Sequence, residues 1–255
     1  MQALFVDDNK VNRHTASLLL HGFGIDVHAA DTGSEAVASF EAHPYDFIFM
    51  DCQLLEIDDY KSLNAIKQIR KNKGLEVPII GVTGSGAQDK AMTVAAYGMD
   101  GYLSRPINQA ELAELVRHWT NKERKAKGAG ESTDQSNLTK ASGNALNLEL
   151  LEKRFNDAGV LELLTLFTKL APQDLSKIDD AWSRQAFGEI VRLAHNFKGS
   201  CATIFAEDLT QTCNELELAA RRSDEQSCFV LTKQLGCRLK SALSAIGLRL
   251  HQHPK

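Results

Sequence analysis

Over residues 1–120 the chain alternates short apolar runs with amphipathic stretches. The runs ALFV (3–6), DVHAA (26–30), FIFM (47–50), VPIIGV (77–82) and GYLS (101–104) have the length and residue types of strands. Between them, apolar residues recur at three- and four-residue spacing near 9–22, 33–42, 60–71, 88–97 and 109–119, which predicts helices. Strands and helices in strict turn predict an α/β domain with a five-stranded parallel sheet. Runs that are apolar at nearly every position suit strands covered on both faces, so the sheet is expected to be doubly wound.

The pattern changes twice more. Residues 121–146 are rich in Gly, Ser, Thr, Asn and Lys and nearly lack bulky apolar side chains. They read as a flexible linker, with an r.m.s. span of roughly 25–30 Å. From 147 onward only helical periodicity is found. Helices are predicted at 147–157, 160–182, 186–204, 206–222 and 225–247, with Pro172 kinking or splitting the second. An antiparallel four-helix bundle over 147–250 is the natural architecture.

Composition and charge exclude some classes of function. Apolar residues make up 43% and charged ones 24%, the balance of a soluble globular protein. No run approaches the length of a transmembrane helix, and the first residues lack a basic flank, so neither membrane contact nor a signal peptide is expected. Cys52, Cys201, Cys213, Cys228 and Cys237 form no CxxC pair, which points to reduced thiols and a cytoplasmic setting. Residues 1–120 hold 10 basic and 16 acidic side chains, so electrostatics gives no reason to expect nucleic-acid binding.

Candidate chemistry gathers at two places. In an open α/β sheet, ligands collect beyond the carboxyl ends of the strands. There the chain carries Asp7 and Asp8 (first strand), Asp51 (third), Thr83 (fourth) and Arg105 (fifth). Crowded carboxylates repel, and a hard, partly hydrated cation such as Mg²⁺ relieves that. A hydroxyl and a guanidinium opposite can grip phosphoryl oxygens. GSG at 84–86 does not follow the first strand and is no nucleotide loop.

The second place is RLAHNFKGSCA (192–202). On a helical wheel starting at Ile190, Leu193, Ala194, Phe197, Cys201 and Ile204 fall within about 60° of it, while His195 falls at about 140°, away from the core. No second metal ligand lies one turn away on that face. Arg192 and Lys198 flank the ring and offset a phosphoryl group's charge. Gly199 and Ala202 leave room for another backbone to approach.

VDDNKVNR, FIFMDCQ, IIGVTGSG and GYLSRPI resemble the response-regulator receiver domain of two-component signalling, over nearly all of residues 1–120. The resemblance implies a flavodoxin-like fold in which Asp51 accepts a phosphoryl group from a phosphohistidine. It implies Mg²⁺ held by Asp8, Asp51 and the Gln53 carbonyl, with Asp7 acting through water. Thr83 would bind a phosphoryl oxygen, and Tyr102 takes the place of the switch aromatic. Arg105 stands where the family has Lys, and Leu55 and Asp59 alter the loop after Asp51.

Ala194–Ser200, with Leu209, Cys213, Leu216 and Glu217 downstream, resembles the histidine-containing phosphotransfer domain over about 147–247. That implies His195 as phosphoryl carrier; Phe205 replaces a family glycine. Together the two resemblances imply a phosphoryl carrier rather than a turnover enzyme. Its partners would be a sensor histidine kinase upstream and the receiver of a response regulator downstream. The rival reading is a degenerate receiver that only docks, with His195 alone phosphorylated. An ordinary hydrolase lacks a nucleophile–base pair. The start at the first strand suggests the cytoplasmic C-terminal part of a hybrid kinase.

Overall fold

The structure, a computed structural model, describes residues 1–54, 60–84, 96–124 and 146–251. The altered loop positions Leu55 and Asp59, residues 85–86 of the GSG stretch, most of the helix expected over 88–97 and all but the ends of the expected linker lie outside the described residues.

The first unit is β1 (Gln2–Val6), α1 (Lys10–His21), β2 (Asp26–Ala30), α2 (Gly33–Ala42), β3 (Phe47–Asp51), α3 (Tyr60–Asn72), β4 (Ile79–Thr83), β5 (Gly101–Ser104) and α4 (Gln109–Arg124). All strand pairs are parallel, in the order β2-β1-β3-β4-β5. This is the flavodoxin-like winding, whose order reverses between β1 and β3 and opens a crevice at their carboxyl ends. Side chains alternate across the sheet. Leu4, Val6, Ile48, Met50 and Ile79 enter one core, while Ala3, Phe5, Phe47, Phe49, Ile80 and Val82 enter the other. The last helix runs on to Arg124, into the stretch 121–146 expected to be linker.

Caps fix where the site helices start. Asn9 precedes α1 in extended conformation, and its Oδ1 accepts from the amides of Val11 and Asn12. Asp7 Oδ1 accepts from the Asn9 amide at 2.8 Å, so the strand end and the helix start are tied together.

The second unit opens with α5 (Leu148–Arg154) and continues as a bundle of α6 (Asp157–Ser183), α7 (Phe187–Thr203), α8 (Glu207–Arg221) and α9 (Glu225–His251). Consecutive helices pack on one another and α9 meets α6, which closes the bundle. Pro172 does not split α6. It denies the Thr168 carbonyl its helical partner, but Phe167, Ala171 and Ile178 are buried on both sides of it and anchor the two halves in one core.

All three bundle turns use the same device without glycine. Gln185 (φ 52°), Phe205 (φ 55°) and Ser223 (φ 53°) adopt the left-handed conformation just past α6, α7 and α8. Their amides reach back to Trp182, Ala202 and Ala220. The next amides reach Ala181, Cys201 and Ala219, which completes a Schellman motif each time.

The two units meet along α1, which packs on α6 and α7. Asn9 Nδ2 donates to the Asn196 carbonyl at 2.6 Å and to Ser200 Oγ at 2.8 Å. Thr203 Oγ1 donates to Asn12 Oδ1 at 3.3 Å. Leu18 lies over Gly159, where a Cβ would come within 3.6 Å of its Cδ1. His14 Nε2 of α1 lies 3.2 Å from Glu162 Oε2 of α6. The seam therefore joins neutral amides and hydroxyls with a few contacts to carboxylates, backed by apolar contact.

Candidate functional site

The carboxyl ends of β1 and β3 deliver three acids to one point. Asp7 is fully buried, Asp51 nearly so and Asp8 half-buried. One carboxylate oxygen from each lies within 4.8 Å of the other two. This oxygen-only donor set suits a hard divalent cation. Asp51 is braced from behind, since its Oδ1 accepts the Gln53 amide at 3.0 Å.

Arg105 follows β5, held by its amide on the Thr83 carbonyl at 2.8 Å. Its guanidinium spans two acids, with Nη1 donating to Asp51 Oδ2 at 3.0 Å and Nη2 donating to Asp7 Oδ2. The planar fork makes both bonds at once, which an ammonium group on a lysine does less well. Burial pushes the Asp7 carboxyl up to about 7 against the pull of Arg105. Burial opposes the charge of Arg105 too, but Asp51 and Asp7 outweigh it and raise its pKa further. Thr83 ends β4 and is buried at the same edge of the sheet. Tyr102, on β5, is exposed.

His195 lies on α7, off the core face marked by Ile190, Ala194, Phe197 and Cys201. The helical wheel is right about that side but incomplete about its surroundings. The ring is only 15% exposed, and its Nδ1 lies 3.0 Å from Glu217 Oε2 on α8. An ionised carboxylate only accepts, so Nδ1 carries a proton, and in the neutral ring Nε2 has the lone pair. Glu217 also accepts from Lys198 Nζ at 2.7 Å and from Arg221 Nη2 at 2.9 Å. Burial works against the Glu217 charge, but the bonds from His195, Lys198 and Arg221 hold its carboxyl well below the usual range. Lys198 is thus committed to Glu217 rather than free beside the ring.

Small side chains on α7 let the first unit approach closely. A Cβ on Gly199 would meet Asn12 Nδ2 of α1 at 3.1 Å. Ala202 is half-buried one turn on. Arg192 reaches towards Asp8, 3.8 Å from its Oδ2, and Asn196 Nδ2 donates to the same oxygen at 2.7 Å. A cavity of about 210 Å³ between the units is lined by Asp8 and Gln53 on one side and by Arg192, Asn196 and Arg221 on the other. Asp8 of the acid cluster and the histidine helix thus line one cleft between the units. Asn9, Asn12, Asn196, Thr203 and Arg221 were not singled out in the sequence. Only the adjacency of Asn9 to Asp7 and Asp8, and of Asn196 to His195, pointed to any of them.

Comparison with known proteins agrees with this division. Residues 3–117 match the family model of the response regulator receiver domain, and residues 162–249 match that of the Hpt domain. The chain is 24% identical over 241 residues to the sensor histidine kinase GacS of Pseudomonas protegens, covering 90% of this chain and 25% of that protein. It is 34% identical over 137 residues to the histidine kinase CKI1 of Arabidopsis thaliana, covering 48% of this chain and 12% of that one. Among solved structures it is similar to the receiver domain of the sensor histidine kinase PA1611 from Pseudomonas aeruginosa, with magnesium coordinated in its active-site cleft. That match has 33% identity and a TM-score of 0.40, and covers 47% of this chain and 97% of that one. The chain spans a quarter or less of the length of these two kinases. No helix among the described residues is long and apolar enough to cross a membrane.

Proposed function

Since the chain is a response regulator receiver domain followed by an Hpt domain, we propose that it is the middle of a phosphorelay. Asp51 takes a phosphoryl group from a kinase phosphohistidine, and His195 takes it from Asp51 and hands it to the receiver of a separate response regulator. The observation that carries this reading is the shared cavity with Asp8 and Gln53 on one wall and Asn196, next to His195, on the other.

In the first step a carboxylate oxygen of Asp51 attacks phosphorus, a P–O bond forms and the P–N bond to the donor histidine breaks. In the second, Nε2 of His195 attacks the acyl phosphate, a P–N bond forms and the carboxylate of Asp51 is released. Glu217 holds the proton on Nδ1, so Nε2 is the nucleophilic nitrogen in the second step. Arg105 steadies the Asp51 oxygen that does not react, and Thr83, at the end of β4, holds a phosphoryl oxygen. Arg192 and Arg221 supply positive charge from the Hpt wall of the cavity. Asp8, Asp51 and the Gln53 carbonyl would hold Mg²⁺, with Asp7 acting through water, and the ion would supply positive charge to neutralise what gathers there. Tyr102 is the residue that responds to phosphorylation, and Gly199, Ala202 and Arg192 form the docking face.

The domain limits of this reading are a receiver at 1–120 with its last helix extending to Arg124, a linker over the remainder of 121–146 and a phosphotransfer domain at 147–250. Incubation with acetyl phosphate and Mg²⁺, followed by mass spectrometry, should give an adduct on Asp51 that then appears on His195, and chelation of Mg²⁺ should abolish the first. A folded protein with no adduct on Asp51 refutes the relay and leaves a docking scaffold. Mixing Asp51→Ala with His195→Ala chains separates transfer within a chain from transfer between chains. Efficient rescue at low concentration counts against transfer within the chain.

A further inference from the structure

The seam between the domains is well satisfied except at one residue. Arg154, the last residue of α5, has Nε and Nη2 buried with no hydrogen-bond partner among the described residues. Its guanidinium faces a cavity of about 20 Å³ whose other walls are mainly Asn12, Thr15, Pro106 and Ile107 of the receiver. Arg105 borders the same cavity, but it is a second cation and is already spent on Asp7 and Asp51. On the Hpt side the Arg154 guanidinium lies over two rings, Phe155 at 5.9 Å and Phe205 at 5.6 Å. The rings offset part of its charge but accept no hydrogen bonds. Burial lowers its pKa to about 10 with no charge nearby to counter it. Only its backbone is engaged across the seam, where Gln109 Nε2 donates to its carbonyl at 3.0 Å.

A buried polar group without a partner costs free energy that is recovered when water returns. The receiver supplies much of the wall that keeps water out, so the cost falls on the docked state. The same α1 contacts that bring the receiver to the histidine helix also cover Gly199, Ser200 and Thr203, the face a second receiver would need. A docked state without a weak point would hold His195 away from that second receiver.

We propose that Arg154 is a release element, an uncompensated cation that keeps the receiver–Hpt seam reversible. The purpose of this device rests on the relay reading, while its physical effect does not. Phe205 belongs to the device. It occupies a left-handed turn position that glycine would take at no steric cost, and its ring covers one face of the guanidinium.

The test uses the full chain with dyes at the exposed Cys237 and at a cysteine placed at Ala42, so that energy transfer reads the docked fraction. Arg154→Met and Arg154→Leu, which fill similar space without charge, should each raise the docked-to-open ratio about tenfold. In the Asp51→Ala background, with His195 phosphorylated by phosphoramidate, Arg154→Met should slow transfer to a His195→Ala chain by a similar factor. An unchanged or lower docked fraction in both variants overturns the proposal. If His195 takes no phosphate at all, the relay reading fails, and energy transfer still decides the role of Arg154.

Discussion

His195 meets Glu217 through Nδ1, and Glu217 in turn accepts from Lys198 and Arg221. Replacing the carboxylate by an amide keeps the shape but removes the demand for a proton on Nδ1. Glu217→Gln should therefore slow phosphorylation of His195 by phosphoramidate roughly tenfold to a hundredfold, the worth of one charge-assisted bond. The same residue sets a pH dependence. Its folded pKa is depressed, so its stabilisation is present above the unfolded carboxylate range near about 4.3. It is lost as pH falls through that range towards the lower folded value. Melting curves of wild type should fall more steeply than those of Glu217→Gln below about pH 4.5. At the other site, Arg105→Lys keeps the charge but loses the fork, leaving Asp7 or Asp51 short of a partner. A loss of about 1–3 kcal/mol in denaturant unfolding of the receiver is expected. The acids, Thr83 and Arg105 were legible in the sequence because they end successive strands. Glu217 was visible as part of a motif, but not as the partner of His195, because a wheel drawn for one helix holds no neighbouring helix.

At the level of elements the sequence carried most of the fold. Observed strand ends differ from the apolar runs by at most two residues, since the side-chain period changes abruptly where a strand stops. Of the kink or split expected at Pro172, the split does not occur, because a proline's local cost says nothing about the apolar residues that flank it and anchor the helix. The bundle turns were marked by the end of periodicity and by no glycine. Gln185 and Ser223 are exposed in left-handed conformation, where a side chain costs about 1–2 kcal/mol and glycine loses about half of that gain to the unfolded chain. Gln185→Gly and Ser223→Gly should each stabilise the bundle by roughly 0.5 kcal/mol, seen as a rise of a few degrees in Tm. Phe205→Gly differs, since it also removes a ring that packs on Arg154 and the core.

For the whole molecule the decisive contact is α1 on α7, which no pattern within either domain encodes. Its polar partners, Asn9 and Asn12 against Asn196, Ser200 and Thr203, lie some 190 residues away in sequence. Gly199→Leu should separate the domains without unfolding the bundle, because its side chain would project into Asn12 rather than into the core. Transfer from Asp51 to His195 within the chain should fall more than tenfold while circular dichroism is unchanged, and a normal rate would show that docking through α1 is not the transfer geometry. The amide and hydroxyl contacts of this seam have a further consequence. Amides and hydroxyls recognise one another by which atom donates and which accepts, not by net charge. A duplicated copy of the chain could thus be insulated from its parent by exchanging a single amide–hydroxyl pair, with solubility, isoelectric point and both cores left as they were.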